Sequence, residues 1–423
     1  MLVLLATLSS GLSISTKSIG YKGGTFSATV IPSTGNVALP PLVVLPPIGV
    51  GIDRTFNSRF VDEWAAAPVP KSALHAIDVI GMGDSQPKPR MKRPFGGWNE
   101  PPRTPTEWAE QTLTYIREEV REPCIVVGQS NLCTVALEAA GMDRAQSLVK
   151  GIILVGPPAI EALSIDKPSE DIAKVWRLVG SPLGAALFRF ARRKAFLGSF
   201  SRKNLFADPS LVDDDYLNIC AAGASDASTR HAVFSFVAGT WRKNYLPLLG
   251  DLAVPTLVVS GRDVGAGSGV GNAPPPPPPA RAQDVDKTSY KGLLSWFTVW
   301  RKDGAGGRFD QVARDLGSDP AVKLRDFASA MTAAKKGGLV ETQLLPGWNV
   351  LVYESPKELV ATLGSFVERR FGVADGAQVW TEQAVELLEA AKAAKRERSG
   401  GQAAQEVKSW YDSGIRLKRE KRE

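Results

Sequence analysis

The chain has 423 residues, of which 43% are hydrophobic and 22% are charged. This balance excludes a globally disordered chain, and the length suffices for one large domain with an insertion. The net charge of +7 is modest, and no zinc-ligand spacing or interleaving of basic and aromatic residues is found. We therefore expect no nucleic-acid partner, no metal and no cofactor.

The three cysteines are Cys124, Cys133 and Cys220. An odd number with two members in apolar contexts favours buried free thiols over a disulfide framework, and hence a reducing compartment.

The N-terminus is apolar and carries no charged side chain before Lys17. Its run LVLLATL is too short to cross a membrane and lacks the positive residues of a secretory signal. We interpret residues 1–18 as a targeting segment, with a first β-strand as the alternative. Because no other stretch is long and apolar enough, no transmembrane segment is expected.

Continuous apolar runs then alternate with helical patterns. The predicted strands are Leu42–Leu45, His75–Ile80, Cys124–Val127, Gly151–Val155 and Thr256–Ser260, and residues 104–120 are predicted to form an amphipathic helix. This alternation indicates an α/β protein with a mostly parallel central sheet flanked by helices.

The stretch around Ser130 is the most informative one. A buried strand runs into Gly128-Gln129-Ser130 and directly on into a helix, which is typical of a nucleophile elbow. The consensus has a glycine two residues after the serine, where this chain has Leu132. With the order of its elements, the chain resembles the α/β-hydrolase fold from about Tyr21 to Phe371. The resemblance implies Ser130 as nucleophile and the backbone N–H groups of Ile48 and Asn131 as an oxyanion hole.

Two insertions enlarge this core. The first, residues 157–245, lies where such folds carry a helical cap, and its aromatic residues form either the cap's own core or the lining of a pocket for a small apolar or lipid-like ligand. These aromatic residues are Phe188, Phe190, Phe196, Phe200, Phe206, Phe234, Phe236 and Trp241. The second, residues 265–338, opens with a glycine-rich run and six prolines, predicted as a linker, followed by helix-like segments near 293–300 and 324–334.

The predicted organisation follows from these boundaries. Residues 19–156, 246–264 and 339–373 form the core, around the insertions 157–245 and 265–338. Residues 374–423 form a charged, partly helical tail with an excess of Lys and Arg. We interpret the tail as solvated, with peripheral contact to a membrane as the alternative.

A serine hydrolase also needs a base and an acid, and the chain has two histidines. His75 begins a buried strand and is predicted to be structural, and His231 lies in the first insertion as a remote candidate for the base. In this fold the base follows the last strand, five residues before a glutamate. Counting back from Glu354 gives Asn349, whose amide cannot accept a proton at neutral pH. The candidate acid is Asp263, one residue before the usual position.

Four longer segments sharpen the resemblance. They are PPLVVLPPIGVGIDRTFNSRFVDEW, SPLGAALFRFARRKAFLGSFSRKNLF, RHAVFSFVAGTWRKNYL and LLPGWNVLVYESPKEL. They resemble an α/β-hydrolase-like family of cyanobacteria and chloroplasts with a degenerate triad. The resemblance implies a plastid setting, the alternative being the cytoplasm or the secretory route. Two functions stay open: an esterase or lipase-like serine hydrolase acting on an apolar substrate, and a non-catalytic pseudo-hydrolase that binds a ligand or a partner.

Overall fold

The structure is a computed structural model of the chain. It describes residues 15–21, 24–34, 39–67, 72–85, 98, 100–145, 147–263, 324, 327–331 and 339–372. The glycine- and proline-rich segment, the segment near 293–300 and the charged tail lie outside these residues. No helix in the described part of the chain is both long and apolar enough to span a membrane.

The centre of the molecule is an eight-stranded sheet with the order β1-β2-β4-β3-β5-β6-β7-β8. Its strands are β1 (Ser15–Tyr21), β2 (Gly24–Ile31), β3 (Leu42–Val44), β4 (Leu74–Ile77), β5 (Cys124–Gln129), β6 (Val149–Val155), β7 (Thr256–Gly261) and β8 (Val340–Leu345). β1 and β2, and β2 and β4, pair antiparallel, and all other neighbours pair parallel. The predicted mostly parallel sheet is therefore confirmed.

Helices cover both faces of the sheet. They are α1 (Ser58–Ala66), α2 (Pro105–Tyr115), α3 (Cys133–Met142), α4 (Ser169–Val179), α5 (Pro182–Ala191), α6 (Lys194–Asn204), α7 (Asp214–Gly223), α8 (Arg230–Ala238), α9 (Leu246–Asp251), α10 (Leu351–Glu354) and α11 (Pro356–Phe371). Along β5, Val126 belongs to one buried cluster, whereas Ile125 and Val127 belong to the other. A sheet buried on both faces explains why its strands are continuous apolar runs.

Two segment boundaries differ from the predicted ones. β1 begins at Ser15 and pairs with β2, so the last four residues of the predicted targeting segment belong to the sheet. The strand predicted as His75–Ile80 ends at Ile77. Just after this end, the Asp78 N–H still donates to the Ser27 carbonyl oxygen of β2 at 2.9 Å.

Helices α4–α8 come from the helical insertion, residues 157–245. Phe188, Phe206, Phe234 and Trp241 are buried in the two apolar clusters, whereas Phe190 is 43% exposed. In the second insertion, residues 327–331 are helical, and Phe327 and Met331 are fully buried. This part of the second insertion therefore packs onto the body of the protein.

A buried ion pair fixes the loop between β3 and α1. The carboxylate of Asp78, just after β4, is fully buried and accepts hydrogen bonds from the backbone N–H and the guanidinium of Arg54. Burial raises the pKa of the Asp78 carboxyl to about 6, and the Arg54 guanidinium opposes this rise. Gly83 is required beside it, since a Cβ there would lie 2.1 Å from Asp78 Oδ2. The pair joins two loops at the carboxyl edge of the sheet.

We expect Asp78→Asn to lower the free energy of unfolding by about 3–5 kcal/mol, because it removes the buried counter-charge of the Arg54 guanidinium and leaves only the exposed Asp84 beside it. The control is Asp84→Asn: the Asp84 side chain binds the same guanidinium at 3.0 Å but is 74% exposed, so about 1 kcal/mol or less is expected. Urea unfolding followed by circular dichroism measures both. Equal losses would show that the Arg54–Asp78 pair does not hold the loop.

Candidate active site

Ser130 lies in the sharp turn between β5 and α3. Its φ is 50°, in the left-handed region that side-chain-bearing residues rarely adopt. Gly128 permits the turn, since a Cβ there would lie 2.7 Å from both the Leu132 carbonyl oxygen and Cys133 Cα. Such strain persists only where the surrounding structure enforces it, and it is common at functional sites. The strand-to-helix turn predicted from Gly128 and Ser130 is therefore present.

Leu132 and Cys133 complete the turn on its buried side. Leu132, at the position that is glycine in the consensus, is 2% exposed. Cys133 is fully buried, and its thiol donates to the Gly128 carbonyl oxygen at 3.2 Å. Burial raises the pKa of this thiol well above its usual value. Cys133 is thus a packing residue and not an alternative nucleophile.

The loop after β3 lies beside this turn because β3 and β5 are parallel neighbours. Leu45 N–H donates to the Val127 carbonyl oxygen at 2.9 Å, and the Gln129 side-chain amide donates back to the Leu45 carbonyl oxygen at 3.1 Å. These bonds fix the start of the loop that carries Ile48, which is 8% exposed. The role of the Ile48 and Asn131 N–H groups as an oxyanion hole stays a prediction.

Asp263 follows β7 at the same edge of the sheet. Its carboxylate accepts a hydrogen bond from Gly347 N–H at 2.7 Å, and its own N–H donates to the Gly347 carbonyl oxygen at 3.0 Å. Arg262 Nε lies 3.9 Å from the same carboxylate. The candidate acid Asp263 therefore holds the loop after β8 at Gly347, which is two residues before Asn349.

Asn349 joins this loop to the helical insertion. Its backbone N–H donates to the Leu205 carbonyl oxygen at 3.3 Å, and its side-chain Nδ2 donates to the Asn204 carbonyl oxygen at 3.4 Å. In the described part of the chain, the Ser130 hydroxyl has no hydrogen bond.

The backbone of Asn349 nevertheless lies near the elbow. A Cβ at Gly156 would meet the Asn349 carbonyl oxygen at 3.7 Å. Gln129 and Val155 are paired in the sheet, so Gly156 and Ser130 follow neighbouring strand ends. The assignment of Asn349 to the position of the base stays a prediction.

Glu354 is the anchor of the same loop. Its carboxylate accepts backbone N–H bonds from Ala207 at 2.6 Å, Trp348 at 2.8 Å and Val350 at 3.2 Å. Burial raises the pKa of this carboxyl, and the N–H bonds act in the opposite direction. The glutamate that served to locate Asn349 in the sequence thus has a structural role in joining two segments.

His231 lies in an aromatic cluster with Trp98 and Trp176. It is fully buried, with its ring edge-on to Trp98 at 5.2 Å and Trp176 at 4.8 Å between centroids. Burial, and to a smaller extent the positive charge of Arg103, lower the pKa of its imidazole to about 4. His231 is therefore neutral at pH 7 and packed among rings. Nothing in its contacts joins it to Ser130.

His75 and Asp78 are two further polar residues in the buried part of the sheet region. His75 Nδ1 lies 2.8 Å from the Tyr115 hydroxyl in the core, which agrees with a structural histidine. Asp78 was missed, although a charged residue inside the apolar run HAIDVI is a signal that could have identified it. Within the described residues, no three His, Cys, Asp or Glu side chains are grouped as a metal site requires.

Neither a family model nor a curated protein sequence matches this chain. Many solved structures do. A thermophilic esterase from Thermogutta terrifontis is 15% identical, with a TM-score of 0.51 over 84% of this chain and 98% of that chain. A serine hydrolase from the polyaromatic-hydrocarbon-degrading bacterium Cycloclasticus zankles is 15% identical, with a TM-score of 0.52 over 85% of this chain and 100% of that chain. The epoxide hydrolase CorEH is 14% identical, with a TM-score of 0.51 over 85% of this chain and 100% of that chain. The chain therefore has the α/β-hydrolase fold.

The surroundings of His231 predict a pH dependence of stability. Its pKa is about 4 in the folded state and about 6.5 in the unfolded state, so between these values only the unfolded state gains the proton. Stability therefore falls as the pH drops from about 6.5 to 4, by up to about 3 kcal/mol. His231→Gln, which does not titrate, should flatten this part of the curve. Urea unfolding at pH 7, 5.5 and 4.5 tests it, and an unchanged slope would contradict it.

Proposed function

We propose that this protein is a non-hydrolytic member of its fold that binds a small apolar ligand at the carboxyl edge of the sheet. The observation that carries the proposal is the use of the acid and base positions. Asp263 binds the backbone of Gly347, and the Asn349 amide donates to the backbone of Asn204. Both side chains serve as loop supports.

The chemistry agrees with this proposal. Serine attack on an ester needs a neighbouring group that accepts the hydroxyl proton, a contribution of about 10²–10⁴-fold to the rate. The Asn349 amide cannot do this. The pKa of the His231 imidazole is about 4, so at neutral pH it is a weak proton acceptor. Its ring packs against Trp98 and Trp176. Activation of Ser130 through a histidine is therefore unsupported.

In this proposal the ligand binds at a small cleft at the carboxyl edge of the sheet. It is lined by Pro157, Pro158, Ser260, Leu324 and Phe327, at the ends of β6 and β7. The enclosed space of the cleft is only about 10 Å³, room for about one water molecule and far below the 300–1,000 Å³ of typical ligand sites. A small apolar molecule or part of a lipid-like chain would therefore have to widen the cleft on binding. In this proposal α4–α8 act as a cap, and the plastid setting is part of the proposal.

Labelling with a fluorophosphonate probe tests the proposal, because the probe reacts with activated serines. We expect the wild-type protein to label no more than Ser130→Ala, since no base activates the hydroxyl. Ser260→Ala is the matched control, as Ser260 is another half-buried serine at a strand end. Strong labelling that Ser130→Ala alone abolishes would refute the non-hydrolytic proposal.

A serine hydrolase acting on esters is the second candidate. It is favoured by the positive φ of Ser130, because the elbow geometry that presents a nucleophile is retained. A non-histidine base would then have to act, and the esterase resemblance would extend from fold to activity.

Asn349→His discriminates between the candidates. We expect no robust activity on a short-chain nitrophenyl ester, because Asp263 is bound to Gly347 and is not free to orient the new imidazole. Asn349→Gln is the control for disturbing the loop. A gain of about 10²-fold or more that Ser130→Ala removes would mean that the site lacks only its base.

A further inference from the structure

One corner of the helical insertion combines exposed apolar side chains with a strong excess of positive charge. The α5–α6 corner consists of the facing side chains of these two helices and the turn between them. Its apolar members are Leu183, Leu187, Phe190, Phe196 and Phe200, and its basic members are Arg189, Arg193 and Lys194.

The apolar residues form a continuous surface. Leu183, Leu187 and Phe190 follow the i, i+4, i+7 spacing of one helix face. Leu183 is 40% and Phe190 43% exposed, while Phe188, two residues before Phe190, is buried. The Phe190 ring meets the Phe196 ring at 5.1 Å, and Phe196 stacks on Phe200 at 6.0 Å between centroids. The surface therefore crosses from α5 to α6.

The charge along this segment of the sequence has one sign. Between Ile172 and Ala207 the sequence has eight Lys and Arg residues and no Asp or Glu. Arg189, Arg193 and Lys194 are exposed, and the Arg193 guanidinium lies 5.6 Å over the Phe190 ring. Asp213, the residue before α7, is paired with Arg59, whereas Asp214 and Asp215 are exposed at the start of α7.

We propose that the α5–α6 corner docks the protein onto the surface of an anionic lipid bilayer. Lys and Arg beside a membrane are attracted to acidic headgroups, while exposed Phe and Leu side chains enter the boundary of the acyl chains. The combination of rings and cations on one helix corner fits this partner better than a neutral or acidic protein surface. The contact is peripheral, and it does not depend on whether Ser130 is active.

Co-sedimentation of the full chain with vesicles tests the proposal. We expect binding to vesicles of phosphatidylcholine with about one third phosphatidylglycerol, little binding to pure phosphatidylcholine, and weakening as salt rises from about 0.1 to 0.5 M. Phe190→Ser and Arg193→Gln together should lower the affinity about tenfold or more, because they remove one inserted ring and one cation. Both side chains are exposed, so the unfolding midpoint should stay within a few degrees.

The control is Ile165→Ser. Ile165 is 70% exposed on the same insertion, but its neighbours Asp166 and Lys167 are bound to Asn244 and to the end of α8. Its loss should leave vesicle binding unchanged. The proposal is overturned if the wild-type protein does not bind anionic vesicles, or if Ile165→Ser reduces binding as much as the corner variant. It is also overturned if only removal of residues 374–423 abolishes binding, which would assign the contact to the tail.

Discussion

The arrangement of the site depends on the hydrogen bonds that the Glu354 carboxylate accepts. It accepts N–H bonds from Trp348 and Val350 in the loop after β8 and from Ala207 in the helical insertion. A buried carboxylate needs such partners, and two segments that are bound to one carboxylate cannot move independently. Gly347 makes the convergence feasible: its φ is 103°, and a Cβ there would lie 2.7 Å from Glu354 Cβ. The loop therefore has one conformation, set by structural contacts.

This constraint determines what the candidate site can do. With Gly347 held by Asp263 and Trp348 held by Glu354, Asn349 is presented to the backbone of residues 204 and 205. Asp263 supports the loop after β8, and Asn349 joins that loop to the insertion. The Ser130 turn persists nonetheless, because it is enforced by the close packing of Gly128 against Cys133. An elbow can therefore be a property of the fold without being evidence of catalysis.

Much of the fold could be predicted because its determinants are local. The runs at Leu42, Cys124, Gly151 and Thr256 are apolar enough to indicate strands buried on both faces, and Gly128 with Ser130 indicates the turn. The end of β4 could not be placed in this way. The apolar run continues past Asp78 to Ile80, so the sequence pattern does not show where the strand ends. Arg54, the partner of Asp78, is 24 residues away in the sequence.

The site was only partly predictable for the same reason. Spacing from Glu354 located Asn349, but which groups Asn349 binds depends on residues 204 and 205 in a distant segment. The surroundings of His231 likewise come from Trp98 and Trp176, which no local pattern connects with it. Sequence spacing identifies the candidates, whereas long-range contacts determine their roles.

Amide hydrogen exchange of Glu354→Gln, compared with wild type, tests the central claim most directly. The control is Glu358→Gln, four residues later in the first turn of α11. If Glu354 holds the two segments together, its loss should speed exchange in residues 204–208 and 346–350 together, while β8 stays protected. The control should change neither segment. Unchanged protection in both segments, or opening of one without the other, would contradict the account.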